Sequence, residues 1–296
     1  MARKEIRSRR LRLERSCRAR GSDWIRCGQA AGGIQLLSAW FAGAAFARHR
    51  HDTYAIGLTD SGIQAFGYRG SVHRSTPGEV VVLHPDEPHD GYAGTEQGFG
   101  YRIVYIDPAR ISEAISVISG RACPLPFVRE PVLRSAELTH TIEIAFACEL
   151  EPLAVDAIIL RLSEALIEEA KGTSARAPVL RLDIVAVERA RRFLDAANNR
   201  VVHSSELEAA TGLSRFELAR QFRSRLGTSP YRYSLMRRLE FARERLGENQ
   251  PTVNLALEAG FSDQAHFTRL FRAAFGLTPA RYGALKTVAP MAMLDG

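Results

Sequence analysis

The chain has 296 residues, 46% hydrophobic and 25% charged, with a net charge of +7, which is long enough for two domains and excludes a collagen-like or wholly disordered chain. No run of about 18 apolar residues occurs, and the Arg-rich first twenty residues lack the apolar stretch of a secretory signal, so neither a membrane partner nor export is expected and the expected location is the cytoplasm. The charge is unevenly spread, +7 over residues 1–20, −6 over 21–179 and +6 over 180–296, as expected for a nucleic-acid-binding module joined to something else.

In chain order, residues 1–21 read as a disordered basic leader. Residues 22–131 read as strands: the apolar stretches 34–37, 80–83 and 101–106 are punctuated by turn signals at Asp60-Ser-Gly, Thr76-Pro-Gly and Ala93-Gly-Thr, and short strands at regular spacing predict an antiparallel sandwich or barrel. Residues 132–171 change to a helical period. Ser135 offers an N-cap before Leu138, Ile142, Ile144, Ala145 and Cys148; Pro152 breaks the chain; Leu153, Ala157, Leu160, Ser163, Ala165 and Ile167 then line one face of an amphipathic helix. That last helix is the candidate contact for a homodimer. Residues 172–180 read as a linker, 181–286 as a helical domain and 287–296 as a tail. Cys17, Cys27, Cys123 and Cys148 form no C-x-x-C pair, so neither a disulfide framework nor a structural zinc site is expected.

Two stretches of the helical domain repeat. Gly212-Leu-Ser-Arg-Phe-Glu-Leu-Ala-Arg-Gln-Phe222 with Gly227-Thr-Ser-Pro230 and Tyr233 answers to Gly260-Phe-Ser-Asp-Gln-Ala-His-Phe-Thr-Arg-Leu-Phe271 with Gly276-Leu-Thr-Pro279 and Tyr282. The glycines align at an offset of 48 and the following helices at 49, so the second turn is one residue longer. These are the residue types of a helix-turn-helix: a glycine ends the first helix at positive φ, Leu213 or Phe261 wedges between the helices, and Ser214 or Ser262 caps the second. Leu218 and Phe222, like Phe267 and Phe271, stand at i, i+4 and must face a core. The opposite faces then carry Phe216, Arg220 and Arg223, and Ala265, Arg269 and Arg272. With Arg215, Gln264 and His266 they make a candidate surface for double-stranded DNA, on which arginine favours guanine and Gln264 suits adenine. Arg223, Arg237, Arg272 and Arg281 are candidates for phosphate contacts. A connector over 231–246 would hold the two reading helices about one turn of DNA apart, roughly 34 Å.

This arrangement resembles the AraC/XylS family of bacterial transcription regulators over about residues 183–285, most specifically from Leu255-Ala-Leu-Glu-Ala-Gly-Phe to Gly276-Leu-Thr-Pro-Ala-Arg-Tyr282. The resemblance implies a seven-helix DNA-binding domain, direct-repeat half-sites near promoters, usually activation, and RNA polymerase as a partner. Ala265 departs from the family, where a polar base-reading side chain is expected.

Ahead of that domain, His49-Arg-His51 and His84-Pro-Asp-Glu-Pro-His89 look like parts of a cupin sensor domain. His49 and His51 fall on one face of a strand and could converge with His84 or His89. Three roles stand open for these histidines: lining a small-molecule effector pocket with Tyr54 and Tyr101 and also Arg50, bonding within rigid loops, or binding a metal. Metal-binding cupins carry a glutamate after His-x-His where this chain has Ala55, so no metal or other cofactor is expected. No nucleophile–histidine–acid set, phosphate-binding loop or dinucleotide fingerprint is present, so no catalytic residue is assigned. The expected fold is α+β and multidomain, a cupin-like β-barrel with following helices and then an all-α tandem helix-turn-helix domain. The expected function is an effector-responsive DNA-binding regulator; the alternative is a metal-dependent cupin enzyme fused to a DNA-binding domain.

Overall fold

A computed structural model describes residues 23–171, 182–246 and 251–287; the predicted leader, the linker and the tail from 288 onward lie outside them. The first half builds strands β1 (Trp24–Ala31), β2 (Ile34–Phe41), β3 (Ala44–His49), β4 (Tyr54–Gly62), β5 (Gln64–Tyr68), β6 (Ser71–Ser75), β7 (Val80–Leu83), β8 (His89–Ala93) and β9 (Phe99–Ile106). They pair into two sheets rather than one closed barrel. The larger runs β10-β7-β4-β9-β2-β1-β11 and the smaller β3-β8-β5-β6, where β10 is Val132–Leu133 and β11 is Lys286–Thr287.

Both faces of the large sheet are covered, which is why β4 is buried at six successive positions instead of alternating. Leu37, Ala39 and Phe41 of β2 pack with Ala45, Phe66 and Tyr68 of the small sheet. Ile34 and Leu36, on its other face, pack with Ile111, Leu138, Ile142, Val155 and Leu162 from three helices. These are α1 (Pro108–Ser119), α2 (Ala136–Ala147) and α3 (Pro152–Glu169). Helix α1 interrupts a stretch expected to hold only strands. Its signals are local: the Asp107 carboxylate accepts from the Ala109 amide, Pro108 opens the helix, and Gly120 closes it in the left-handed conformation.

Helix α3 exists as expected and buries Ser163 and Ala165 of the expected row, but the rest of its inward face differs. Val155, Ile158, Ile159, Leu162 and Leu166 go inward, while Leu153 is 84% exposed and Leu160 faces solvent. The branched aliphatic stripe outweighs the thinner row of Leu153, Ala157 and Leu160, because burial follows apolar area.

The second half is helical throughout: α4 (Ile184–Ala196), α5 (Ser204–Thr211), α6 (Arg215–Leu226), α7 (Pro230–Arg245), α8 (Thr252–Glu258), α9 (Gln264–Phe275) and α10 (Pro279–Leu285). It is docked against the strand domain. The Ala47 amide donates to Gly276 O at 3.1 Å, the Arg50 amide to Ala273 O at 3.2 Å, and β11 pairs in parallel with β1. Among the described residues, no helix is long and apolar enough to cross a membrane.

Candidate DNA interface and buried histidine cluster

The two repeats fold as helix-turn-helix units. In the first, Gly212 ends α5 with φ +74°, and the Ser214 hydroxyl accepts from the Glu217 amide to start α6. In the second, Gly260 takes the same φ, but the longer turn moves the cap from the expected Ser262 to Asp263, whose carboxylate accepts from the His266 amide. Ser262 bonds instead to the Asp263 carboxylate and the His266 ring. Leu218, Phe222, Phe267 and Phe271 are all buried, so the spacing turns Arg220, Arg223, Arg269 and Arg272 to solvent, together with Phe216 and Gln264. Phe216 is 81% exposed. Gln264, Ala265, Thr268, Arg269 and Arg272 line an open groove along α9.

The arginines of this domain divide sharply. Arg220, Arg223, Arg269 and Arg272 form no ion pair among the described residues, whereas Arg215 is paired with Glu208 at 3.0 Å. Several others are taken up by the protein. Arg238 on α7 donates to Ala259 O at 2.9 Å and to Gly260 O and stacks over Phe261, clamping α8 to the connector; nothing in the helical periodicity announced this. Arg225 on α6 donates to Ser112 O and Ser116 Oγ of α1, and Arg232 pairs with Asp86 at 3.1 Å.

Two expected phosphate contacts are relocated. Arg237 lies 2.8 Å from Asp52 and 3.0 Å from Glu240, and Arg281 lies 3.3 Å from Asp23. Both face the strand domain, so part of the charge asymmetry between the chain's halves serves docking of one domain on the other. Burial pushes the Asp52 carboxyl up to about 7 despite the nearby guanidinium, while Asp52 and Glu240 hold Arg237 protonated.

The effector-site candidates separate into two groups. His49, His51 and His89 come together: β3 pairs with β8 so that His49 faces His89, and one ring nitrogen from each residue lies within 4.8 Å of the other two. All three are buried. Burial depresses the basicity of all three, His51 to about 3 and His89 to about 4; repulsion from His89 adds to the lowering of His51, and repulsion from His89 and His51 to that of His49. They are therefore neutral at physiological pH. His51, His49 and Tyr105 border a cavity of about 50 Å³ between the domains, closed on the other side by Met236, Glu240, Arg243 and Tyr282.

His84 lies apart from that trio. The Val128 amide donates to its Nε2 at 3.0 Å, and Tyr68 Oη and the Arg69 guanidinium approach its Nδ1. Tyr54 is buried beside it, its hydroxyl donating to Pro126 O. Tyr101 stacks on Phe99 in the core. Arg50 is exposed on the approach to Asp86.

A tandem helix-turn-helix domain presenting unpaired arginines, carried by a two-sheet domain with a buried polar cluster, defines a two-domain DNA-binding protein. The family description "AraC-like ligand binding domain" matches residues 31–177, and "Helix-turn-helix domain" matches residues 207–284. A transcriptional regulator of Bacillus subtilis, YbfI, is 27% identical over 75% of this chain and 81% of its own length. The transcriptional activator RhaS of Escherichia coli is 24% identical over 80% of this chain and 87% of its own. ToxT from Vibrio cholerae shares the fold with a TM-score of 0.61 at 12% identity, covering 86% of this chain and 99% of that one; another ToxT structure has an unsaturated fatty acid bound. The chain belongs to the AraC family: it is a DNA-binding transcription regulator with an N-terminal ligand-binding domain.

Proposed function

We propose that α6 and α9 enter successive major grooves of one duplex and read bases through Arg220 and Arg269. The observation that carries this is the partition of the arginines: these two occupy equivalent turns of a repeated helix and are exposed, while Arg225, Arg232, Arg237 and Arg238 are held by protein acceptors. Arg223 and Arg272, one turn further along, suit phosphates, and Phe216 suits a thymine methyl. The test is DNA binding by the full chain at fixed salt, on fragments from upstream of its own gene. Arg220→Ala and Arg269→Ala are each expected to weaken the selected site by about 1–3 kcal/mol and to relax its sequence preference. Selective binding unchanged by both substitutions would overturn the assignment.

The N-terminal domain acts as the receiver of an effector, without catalysis, and the protein works in the cytoplasm with RNA polymerase. What supports the effector role is the docking of the two domains over the histidine cluster, since an effector there can bias how the reading helices are held. Self-association is assigned to the exposed row Leu153, Ala157 and Leu160 on α3. Leu160→Glu is accordingly expected to convert a dimer to a monomer in sedimentation velocity; a wild type already monomeric at high micromolar concentration, or a variant still dimeric, contradicts it.

A further inference from the structure

The histidine trio is built for more than packing. His49 Nδ1 lies 2.9 Å from Ala47 O, His51 Nδ1 3.0 Å from Thr53 O, and His89 Nδ1 3.0 Å from Glu87 O. A carbonyl can only accept, so each Nδ1 carries the ring proton and each Nε2 is left with its lone pair. The same device orients histidines around metals: the outer nitrogen is fixed on a carbonyl and the inner one is free to ligate. The rings lie 4.2 Å (49 to 89), 4.9 Å (51 to 89) and 6.1 Å (49 to 51) apart, centroid to centroid. Three buried imidazoles with one ring nitrogen apiece within 4.8 Å of the other two form a set that a single cation can bridge.

We propose that His49, His51 and His89 bind a divalent transition-metal ion and that this ion is the effector. Ligands of a tetrahedral ion with bonds of about 2.1 Å stand about 3.4 Å apart, so nitrogens within 4.8 Å of one another close on it by small ring movements. Imidazole selects zinc, iron, copper, nickel or cobalt over magnesium or calcium. With three protein ligands a position stays open, and the adjoining cavity of about 50 Å³ has room for the water that fills it. The missing glutamate at Ala55 changes the ligand set from three histidines and a carboxylate to three histidines.

Coupling to DNA follows from what His49 touches. Ala47, whose carbonyl holds the His49 ring, donates its amide to Gly276 O. Gly276 ends α9, the helix that carries Arg269, with φ +71°, and a Cβ there would sit 2.9 Å from Ala47 O and 3.0 Å from His49 Nδ1. Drawing His49 onto a metal therefore moves the strand end on which α9 rests. This inference rests on the N-terminal domain being the effector domain.

The test uses the full chain, stripped with a chelator and dialysed, then titrated with Co²⁺ alone and with Zn²⁺ as competitor. One equivalent of Co²⁺ with a visible ligand-field band, displaced by Zn²⁺, is expected. His51→Gln and His89→Gln, checked for folding by circular dichroism, should each lose about 100-fold or more in affinity; His140→Gln, on the exposed face of α2, should not. One equivalent of Zn²⁺ should then shift affinity for the selected DNA site by roughly 5- to 150-fold in wild type and leave His89→Gln unmoved. A folded protein without stoichiometric Co²⁺, or binding undiminished in both variants, overturns the site. Binding that leaves DNA affinity unchanged overturns its role as effector. In those cases DNA binding that still depends on Arg220 and Arg269 leaves the proposed function standing; loss of that dependence in metal-free and metal-loaded protein alike is the failure of the broader proposal.

Discussion

Phe271→Ala is expected to lower stability by about 3–5 kcal/mol, seen as a lower urea midpoint at unchanged slope. The ring is 0% exposed. It meets Phe267 at 5.4 Å and Tyr282 at 5.8 Å in edge-on geometry, with Phe275 at 4.5 Å. Such contacts add to area burial, and the cavity left by the ring cannot collapse where three other aromatics fix its walls. Phe216→Ala is the matched comparison. It removes the same side chain from the neighbouring recognition helix, but at a site 81% exposed, and should change stability by less than about 0.5 kcal/mol while weakening DNA binding. Equal losses from the two substitutions would contradict the assignment of inner and outer faces.

Arg237→Met is expected to cost about 3 kcal/mol or more at pH 8. Asp52 is 3% exposed and sits 2.8 Å from the guanidinium, and burial pushes its carboxyl up to about 7. The substitution removes the charge that holds this carboxyl down to about 7, so at pH 8 the variant must either keep an unpaired carboxylate inside the domain interface or take up a proton there, and removing one partner of a buried pair is strongly destabilising. Asp52→Asn added to Arg237→Met should recover much of the loss, because the stranded charge, rather than the missing attraction, dominates the penalty. A double-mutant cycle by denaturation in urea measures this; a double variant no better than Arg237→Met alone would mean that packing of the long side chain carried the effect.

Both expectations concern residues whose meaning was unequally legible in the chain. The inward placement of Phe271 follows from its spacing to Phe267 and from the glycines at 260 and 276, all within one repeat. Arg237 looked like one more basic residue of a DNA-binding domain until the fold set it against Asp52, 185 positions away. The same contrast separates the caps. Ser214 is where the repeat predicts it, but the extra residue of the second turn transfers the role to Asp263, a shift that the offset of 49 contained and the pairing of serines concealed.

The count of seven helices was what the family resemblance implied; what the sequence by itself determined in the helical half was two helix-turn-helix units, their buried and exposed faces and the arginines turned to solvent. Those features depend on capping, glycine at positive φ and i, i+4 spacing, all of which act within a dozen residues. Only the tertiary structure decided the division into two sheets, the face that α3 buries, the arginines spent on docking, and the convergence of His49, His51 and His89 without His84. Each of these is a choice among distant partners. His49 and His51 lie 33 to 40 residues from His84 and His89, and the strand register, with His49 opposite His89, selects between them. Nothing local could have done so, because alternation along a strand fixes which side of the sheet a side chain takes but leaves its neighbour across the sheet to the pairing.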